Sequence, residues 1–526
     1  MINLFVTNNN INPQGKGKKP KKVKTIHTAS ISLLIPDNLD IHAELKANPI
    51  KVKRGSKKIK VQADYACLII HQLLNRGSLK KSINLASSSF FVPLNATILQ
   101  SMVRDYNTYL NWLENQGIIE GDHKYKKGEF SRSYRLALKY RSKRMKEYEV
   151  SSRVVMKKLS KSGICPDTKR KYAALLNDLE NLSINQPAAL NHIHSKEMRQ
   201  KATTEAWDDI RRTNKEKREK SPFHGLHKSQ IRKVVRELNM NKRNSWEGAV
   251  NNLRYGNFYF KQDKTAFRLH TSAVSLKKDL RRHLRFKGDP LVACDISNSQ
   301  PYFSVGLFTN PKKYWPIVES YIRPYQNTKL EWIYWHIKSI MTKSTKNPNL
   351  THSTISYVDL VISGKFYEFM ARKLTHMTQR TWSREEAKEE VMKTLFGPPK
   401  FKNLAGRRVM EMHFPDVLSL FTCINYGFTK TKSQRSNPKK SSGFPNALAR
   451  ILQRMESEAI LNEICVELKK KHPEVPLFTL HDGIATTVGN QDLVKDTMER
   501  ILKKNIGHKP RIVIEWEKWG IGRYPS

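Results

Sequence analysis

The residues best placed to do chemistry sit in three short segments of the second half of the chain. In LVACDISNSQPYF (291–303), the run Leu291–Cys294 reads as a buried strand that delivers Asp295 at its end. In PLFTLHDGIATTV (476–488), a second strand-like segment delivers Asp482 within a hairpin. Two carboxylates so distant in sequence meet only if their strands lie side by side in one sheet. Together they suit a pair of Mg²⁺ ions that clamp the attacking and leaving oxygens of an in-line phosphoryl displacement. Mg²⁺ prefers a few carboxylates plus substrate phosphates to a closed protein cage. Either aspartate alone reads as an ordinary turn or cap residue.

The third segment is REEAKEEVMKTLFG (384–397). Arg384, Lys388, Met392 and Phe396 recur every fourth residue, so all four lie on one helix face. Arg and Lys one turn apart can grip a triphosphate, and an aromatic two turns on can support a base or sugar. The same spacing also fits an ordinary amphipathic helix.

Taken in order, these segments resemble the palm and fingers motifs of the family A DNA polymerases and the phage-type single-subunit RNA polymerases. Arg384-x3-Lys388-x3-Met392-x3-Phe396-Gly397 is similar to motif B, Asp295-Ile-Ser-Asn-Ser-Gln300 to motif A, and His481-Asp482 to motif C. Phe267-Arg268-Leu269-His270-Thr271-Ser272 resembles the segment that touches the primer–template minor groove. ALARILQRMESEAI (447–460) resembles the helix whose glutamine, matched by Gln453, contacts the duplex. RIVIEWEKWGIG (511–522) is similar to the closing strand of the palm. The resemblance covers about half the chain, residues 261–526, and the order of the matches carries more weight than any one of them.

The resemblance implies a right-hand polymerase of palm, fingers and thumb. Asp295 and Asp482 would bind two Mg²⁺ ions, with the Ile296 carbonyl as a further ligand and Mn²⁺ as a substitute. Arg384 and Lys388 would hold the triphosphate and neutralise the departing pyrophosphate, positive charge being placed where negative charge develops. Met392, Phe396 and Gln300 would border the incoming nucleotide. Arg268, Gln453 and His481 would follow the template–primer duplex. The chain departs from the pattern in instructive places. Gln300 stands where the DNA enzymes carry glutamate and the RNA enzymes a small residue. Phe396 replaces a tyrosine of the RNA enzymes, whereas Met392 is the residue those enzymes favour. Gly483 replaces an acidic residue, so a third carboxylate is missing there. Gln300 and Phe396 lean towards deoxynucleotides and Met392 leans the other way. The expectation is DNA synthesis, with a DNA-dependent RNA polymerase as the alternative. A non-catalytic winged-helix replication or transcription factor with a degenerate palm is a second. No D-x-E exonuclease signature precedes the palm, so no proofreading is expected. A plasmid, phage or mobile element fits the compact size.

The elements upstream divide into an arm, a module and a track. Residues 1–60 carry thirteen Lys/Arg against three acidic residues and read as a basic flexible arm, in which the short apolar stretch ISLLIP (31–36) is a candidate for order. Residues 61–142 read as a winged-helix-like module. A helix from Tyr65 ends at Gly77, and a second, N-capped by Asn95, carries apolar residues at helical spacing to Gly117. Two short strands joined by a Lys-rich loop follow. A helix fits the major groove and a basic wing reaches phosphates, although such a module can equally mediate protein contacts. Residues 143–260 read as a basic helical, thumb-like region. The expected fold class is therefore multi-domain α/β (α+β). A basic, Ser/Pro/Gly-rich insertion spans 427–446.

Composition agrees. The 526 residues hold 95 Lys+Arg against 47 Asp+Glu, a formal charge of +48, which calls for a polyanionic partner. With 38% hydrophobic residues the chain can build real cores, which excludes a wholly disordered basic tail. Five scattered cysteines (67, 165, 294, 423, 465) suggest neither a disulfide framework nor a zinc site. No long apolar run and no N-terminal signal pattern is visible, so no membrane partner is expected. The expected state is an intracellular, cytoplasmic monomer working on nucleic acid and nucleoside triphosphates, with a nuclear or organellar site open in a eukaryotic host.

Overall fold

The computed structural model describes residues 31–50, 53–54, 57–58, 62–76, 91–125, 131–141, 144–216, 228–323, 331–346, 351–396, 404–426 and 447–522. The basic run at 16–24, most of that at 51–60, Gly77, Gly397 and the 427–446 insertion lie outside the described residues.

The N-terminal core is assembled from β1 (Ser32–Pro36), α1 (Ile41–Ala47), a minimal hairpin of β2 (Lys53–Arg54) and β3 (Lys57–Lys58), α2 (Ala63–Arg76), β4 (Val92–Pro93), α3 (Ala96–Met102), α4 (Tyr106–Asn115), β5 (Ile119–Gly121), β6 (Ser133–Leu136), β7 (Met145–Glu149) and α5 (Arg153–Ser162). Helix, strand, two helices and a hairpin follow one another here, with sheet order β4-β6-β5. Asn95 caps α3 by accepting from the Ile98 N–H at 3.2 Å.

Two expectations are corrected here. The helix read from Asn95 to Gly117 is two helices: Val103 turns extended, and both α3 and α4 bury apolar faces (Leu99 and Met102; Tyr109, Leu110, Trp112 and Leu113). One straight helix would hold only one of those faces against the core. Nor is the arm flexible throughout. Leu33, Leu34 and Ile35 are 1–3% exposed, and β1 pairs with β7 in antiparallel register from Ser32↔Glu149 to Pro36↔Met145. Burying each such aliphatic side chain contributes roughly 1.5–3 kcal/mol, which outweighs the surrounding charge. The same core runs on through Val150 and Val155, past the expected boundary at 142.

A second, larger core begins at Tyr172 and extends to Trp519. Helices α6 (Pro166–Lys171) and α7 (Ala173–Glu180), strand β8 (Leu182–Ile184) and α8 (Gln186–Ile193) lead into the long pair α9 (Lys196–Glu216) and α10 (Lys228–Arg254). This pair has its own small apolar cluster (Ala206, Ile210, Val234, Val235, Leu238) and a nearly buried Lys242–Asp209 ion pair of 2.7 Å. The region expected as a separate thumb thus gives one strand, β8, to the central sheet.

Strands β9 (Phe260–Gln262) and β10 (Leu269–Thr271) pair as a separate two-stranded sheet, and after α11 (Ser272–Ser275) the central sheet takes β11 (Leu284–Phe286) and β12 (Asp289–Ile296). A helical block intervenes: α12 (Ser299–Thr309), α13 (Pro311–Ile322), α14 (Glu331–Lys346), α15 (His352–Ile362), α16 (Phe366–Thr378), α17 (Arg384–Phe396), α18 (Ala405–His413) and α19 (Pro415–Tyr426). Helix α20 (Ala447–Ser457) passes through a π-helical stretch, Glu458–Ile464, into α21 (Cys465–Lys471). Then β13 (Phe478–Thr479), β14 (Gly483–Thr487), α22 (Gln491–Ile506) and β15 (Ile512–Ile514) complete the sheet, ordered β13-β14-β12-β11-β8 with β15 also paired to β12. The central strand β12 alternates: Val292 and Cys294 point to one face, Ala293 and Asp295 to the other. On the first face Cys294 Sγ meets the Gln491 carbonyl at the start of α22, at 3.3 Å.

Candidate active site

The two sequence-distant aspartates are neighbours. β12 and β14 are antiparallel, Asp295 stands opposite Gly483, and the Ile296 N–H donates to the Asp482 carbonyl at 3.1 Å. Gly483 is forced by this register: a Cβ there would lie 2.6 Å from the Cys294 carbonyl oxygen and 3.0 Å from Asp295 Oδ1. The acidic residue expected at that position has no room.

A third carboxylate nevertheless reaches the site, from the other neighbouring strand. Glu515 follows β15, its N–H donates to the Ala293 carbonyl at 2.9 Å, and it shares the Asp295 face. Burial, then the negative charges of Asp482 and Glu515, push the Asp295 carboxyl up to about 7, with Lys518 and Lys278 opposing. Arg281, half-buried nearby and donating to the Val274 carbonyl at 3.0 Å, feels the charges of Glu515, Asp482 and Asp295. The negative charge gathered around Asp295 is what a hard divalent cation would relieve. Among the described residues no group of three or more His, Cys, Asp or Glu side chains is arranged to hold a metal ion, so the carboxylates proposed to do so are the pair Asp295 and Asp482.

Around this centre the structure gathers Arg384, Gln300, Arg268 and His481; no contact ties Lys388, Met392, Phe396 or Gln453 to it among the described residues. The turn after Asp295 places Asn298 at positive φ (54°), and the turn before Asp482 does the same for His481 (72°). Arg384, first residue of α17, donates to Asn298 Oδ1 at 3.3 Å and to Glu368 Oε1 at 2.7 Å. Helix α17 is therefore tied by its leading guanidinium to the loop of the first aspartate. Arg384 and Lys388 both stand over the Tyr367 ring, at 5.5 and 5.9 Å. Lys388 is exposed, Met392 is half-buried, and Phe396 packs partly buried against the large core.

Arg268, Gln300 and His481 form a second group, linked through Glu456 and by the charge of Arg268 near His481. Arg268 forks onto Glu456 of α20, whose other oxygen accepts from Ser299 Oγ (2.6 Å) and Gln300 Nε2 (3.1 Å). Gln453 sits one turn earlier on α20, half-buried. The His481 ring packs edge-on against His270 at 5.4 Å. Burial and the nearby Arg268, His270 and Arg281 lower its pKa to about 4, so it is a neutral imidazole at pH 7. Gln300 Oε1, Asn298 Nδ2 and His481 Nδ1 are buried with no hydrogen-bond partner among the described residues. Three orphaned polar atoms around one pair of aspartates mark a place where substrate or water completes the bonding.

Glu456, Glu515, Arg281 and Asn298 escaped the sequence reading. Glu456 looks like any acidic residue of an amphipathic helix, and only its face, one turn from Gln453, hints at its direction. Glu515 lies within a segment already singled out, two residues from the position opposite Asp295.

No family model matches the chain, and no curated protein matches it. Among solved structures, the POL domain of Pol1 from M. smegmatis, in complex with DNA primer-template and dNTP, is similar over 66% of this chain and 68% of that one. The identity is 11% and the TM-score 0.33. So loose a likeness leaves the functional reading to the geometry of the site. Among the described residues no helix is long and apolar enough to cross a membrane.

Proposed function

We propose that the protein is a template-directed nucleotidyltransferase that extends a 3′ end with deoxynucleotides. The observation that supports this best is the closeness of Asp295, on β12, to Asp482, in the turn leading into the adjacent strand β14, with Arg384 of α17 bonded to the turn that follows Asp295. Asp295 and Asp482 would hold Mg²⁺, and the Ile296 carbonyl is the adjoining backbone oxygen. Bound there, the metal supplies Lewis acidity to the oxygens of the transferred phosphoryl group.

The chain's own residues do the rest. Arg384 and Lys388 present two cations one helical turn apart to the triphosphate, and Arg384 keeps its aim through Glu368 and Asn298. Phe396 and Met392 line the continuation of that face, where base and sugar would rest. Gln300, held by Glu456, meets the sugar. Arg268, Gln453 and neutral His481 face the primer–template end. The module built on α2–α4 and the β5–β6 hairpin contacts duplex DNA, and the +48 charge supplies backbone affinity that falls steeply with salt.

Primer extension tests the reading. The chain should extend a primed DNA template with dNTPs and Mg²⁺, and Asp295→Asn and Asp482→Asn should each abolish extension while leaving template binding intact. Extension undiminished in both variants would overturn the assignment. Extension with rNTPs alone would move it to RNA synthesis.

A further inference from the structure

Helix α4, YNTYLNWLEN, buries Tyr109, Leu110, Trp112 and Leu113 in the N-terminal core. Its opposite face shows Asn107, Asn111 and Asn115, all exposed and four residues apart. In a chain with 95 Lys+Arg, this helix has no basic residue at all. Asparagine is a poor helix former, so three in a row on a solvent face serve no folding purpose. Helix propensity would favour alanine, lysine or glutamate there, and non-specific phosphate binding would favour lysine or arginine. The positive charge lies beside the face instead: Arg104 precedes the helix, and Lys124 and Arg132 are exposed on the ends of the β5–β6 hairpin.

We propose that α4 reads bases, using the amides of Asn107, Asn111 and Asn115 to recognise adenines in the major groove of a duplex. The proposal rests on the reading that this module binds DNA, and deepens it from backbone contact to sequence choice. A carboxamide offers one acceptor and one donor side by side, the complement of adenine N6 and N7. Steps of four residues advance about 6 Å along a helix, so the row covers ~12 Å. At ~3.4 Å per base this spans roughly four base pairs, the reach of a recognition helix. Arg104, Lys124 and Arg132 then take flanking phosphates, which set register without carrying sequence. The order α3, turn, α4, hairpin leaves the Asn face outward because Trp112, on the inner face, donates to the Asn48 carbonyl at 2.7 Å and fixes the helix rotation.

The test is selection of random-sequence duplexes by the full chain at fixed, moderate salt. The expected result is an enriched motif with adenines at two or three positions within about four base pairs. Asn107→Ala, Asn111→Ala and Asn115→Ala should each relax one position, cutting preference for the motif ~10–100-fold while leaving non-specific affinity and its salt slope unchanged. Asn111→Gln should keep part of the preference that Asn111→Ala loses. Lys124→Ala and Arg132→Ala should weaken every duplex alike. All five sites are exposed, and an unchanged thermal midpoint confirms folding. No enriched motif, or a motif untouched in the triple Asn variant, overturns the base-reading row. Duplex binding indifferent to Lys124 and Arg132 overturns the DNA-binding reading of the module beneath it.

Discussion

Arg268 and Glu456 form a buried fork, with Nε at 3.0 Å and an Nη at 2.5 Å from the same carboxylate oxygen. Glu456 is fully buried, and its second oxygen accepts from Ser299 and Gln300. One carboxylate thus joins the β10 segment, the turn after Asp295 and helix α20. Burial raises its pKa, and Arg268 is the largest influence opposing that rise.

Removing one member of a buried pair strands the other's charge, which costs about 3–5 kcal/mol. Glu456→Gln keeps the shape and loses the charge, so a urea denaturation midpoint should fall by an amount equivalent to roughly 3 kcal/mol. Extension should fall with it, because Ser299 and Gln300 lose their anchor. A variant within ~0.5 kcal/mol of the parent would show that Arg268 finds solvent or another partner, and that the fork does not hold the site together.

Gly483→Ala acts by sterics. Its Cβ would press on the Cys294 carbonyl and Asp295 Oδ1, two groups on the neighbouring strand, one of them backbone that cannot swing away. The strands must part or Asp295 must turn. Overpacking of this kind costs about 1–3 kcal/mol, and a carboxylate displaced by ~1 Å can cost ~100-fold in rate. Metal-dependent extension should therefore drop much further than the melting temperature does. Parent-like turnover in this variant would mean that the Asp295 position is not critical.

The role proposed for Gln300 is the choice of sugar. Glu456 as a carboxylate can only accept, so it holds the amide Nε2 and turns Oε1 away, where it is buried without a partner among the described residues. If the side chain acts by bulk, Gln300→Ala should raise ribonucleotide over deoxynucleotide incorporation by ~10-fold or more. If Oε1 instead accepts a bond from a ribose 2′-OH, the same variant should lose ribonucleotide use, since an unmet polar group is what discriminates. Competition between dNTPs and rNTPs on one primer reads the direction. The first outcome is expected; the second would make RNA the product.

Legibility in the sequence followed local pattern. The strand carrying Asp295, the hairpin around Asp482, the α17 face and the Asn95 cap are written in periodicity and cap chemistry, and each has its expected local form. What depends on distant partners was not written there. Glu456 and Arg268 meet across 188 positions, and Glu515 enters through strand pairing. The β1 strand looked like part of a charged arm because β7, its partner, lies more than a hundred residues later. The break at Val103 was hidden because both sides of it continue an apolar helical rhythm.

That buried β1 carries a pH-dependent element. The Leu34 N–H donates to His71 Nδ1 of α2 at 2.9 Å, and burial lowers the His71 pKa to about 4 from an ordinary 6.5. A protonated ring would also meet the Leu34 N–H donor to donor. The folded pKa lies below the unfolded one, so between pH 4 and 6.5 the unfolded chain binds the extra proton. His71 thus contributes stability in full above about pH 6.5, and loses it as pH falls towards 4; the whole swing is roughly 3 kcal/mol. Amide exchange at Leu34 in the full chain, corrected for intrinsic rates, should show protection falling between pH 6.5 and 4.5. His71→Gln keeps an acceptor that cannot titrate, and should flatten that fall. A slope identical in the variant would assign the acid sensitivity of β1 to groups other than His71.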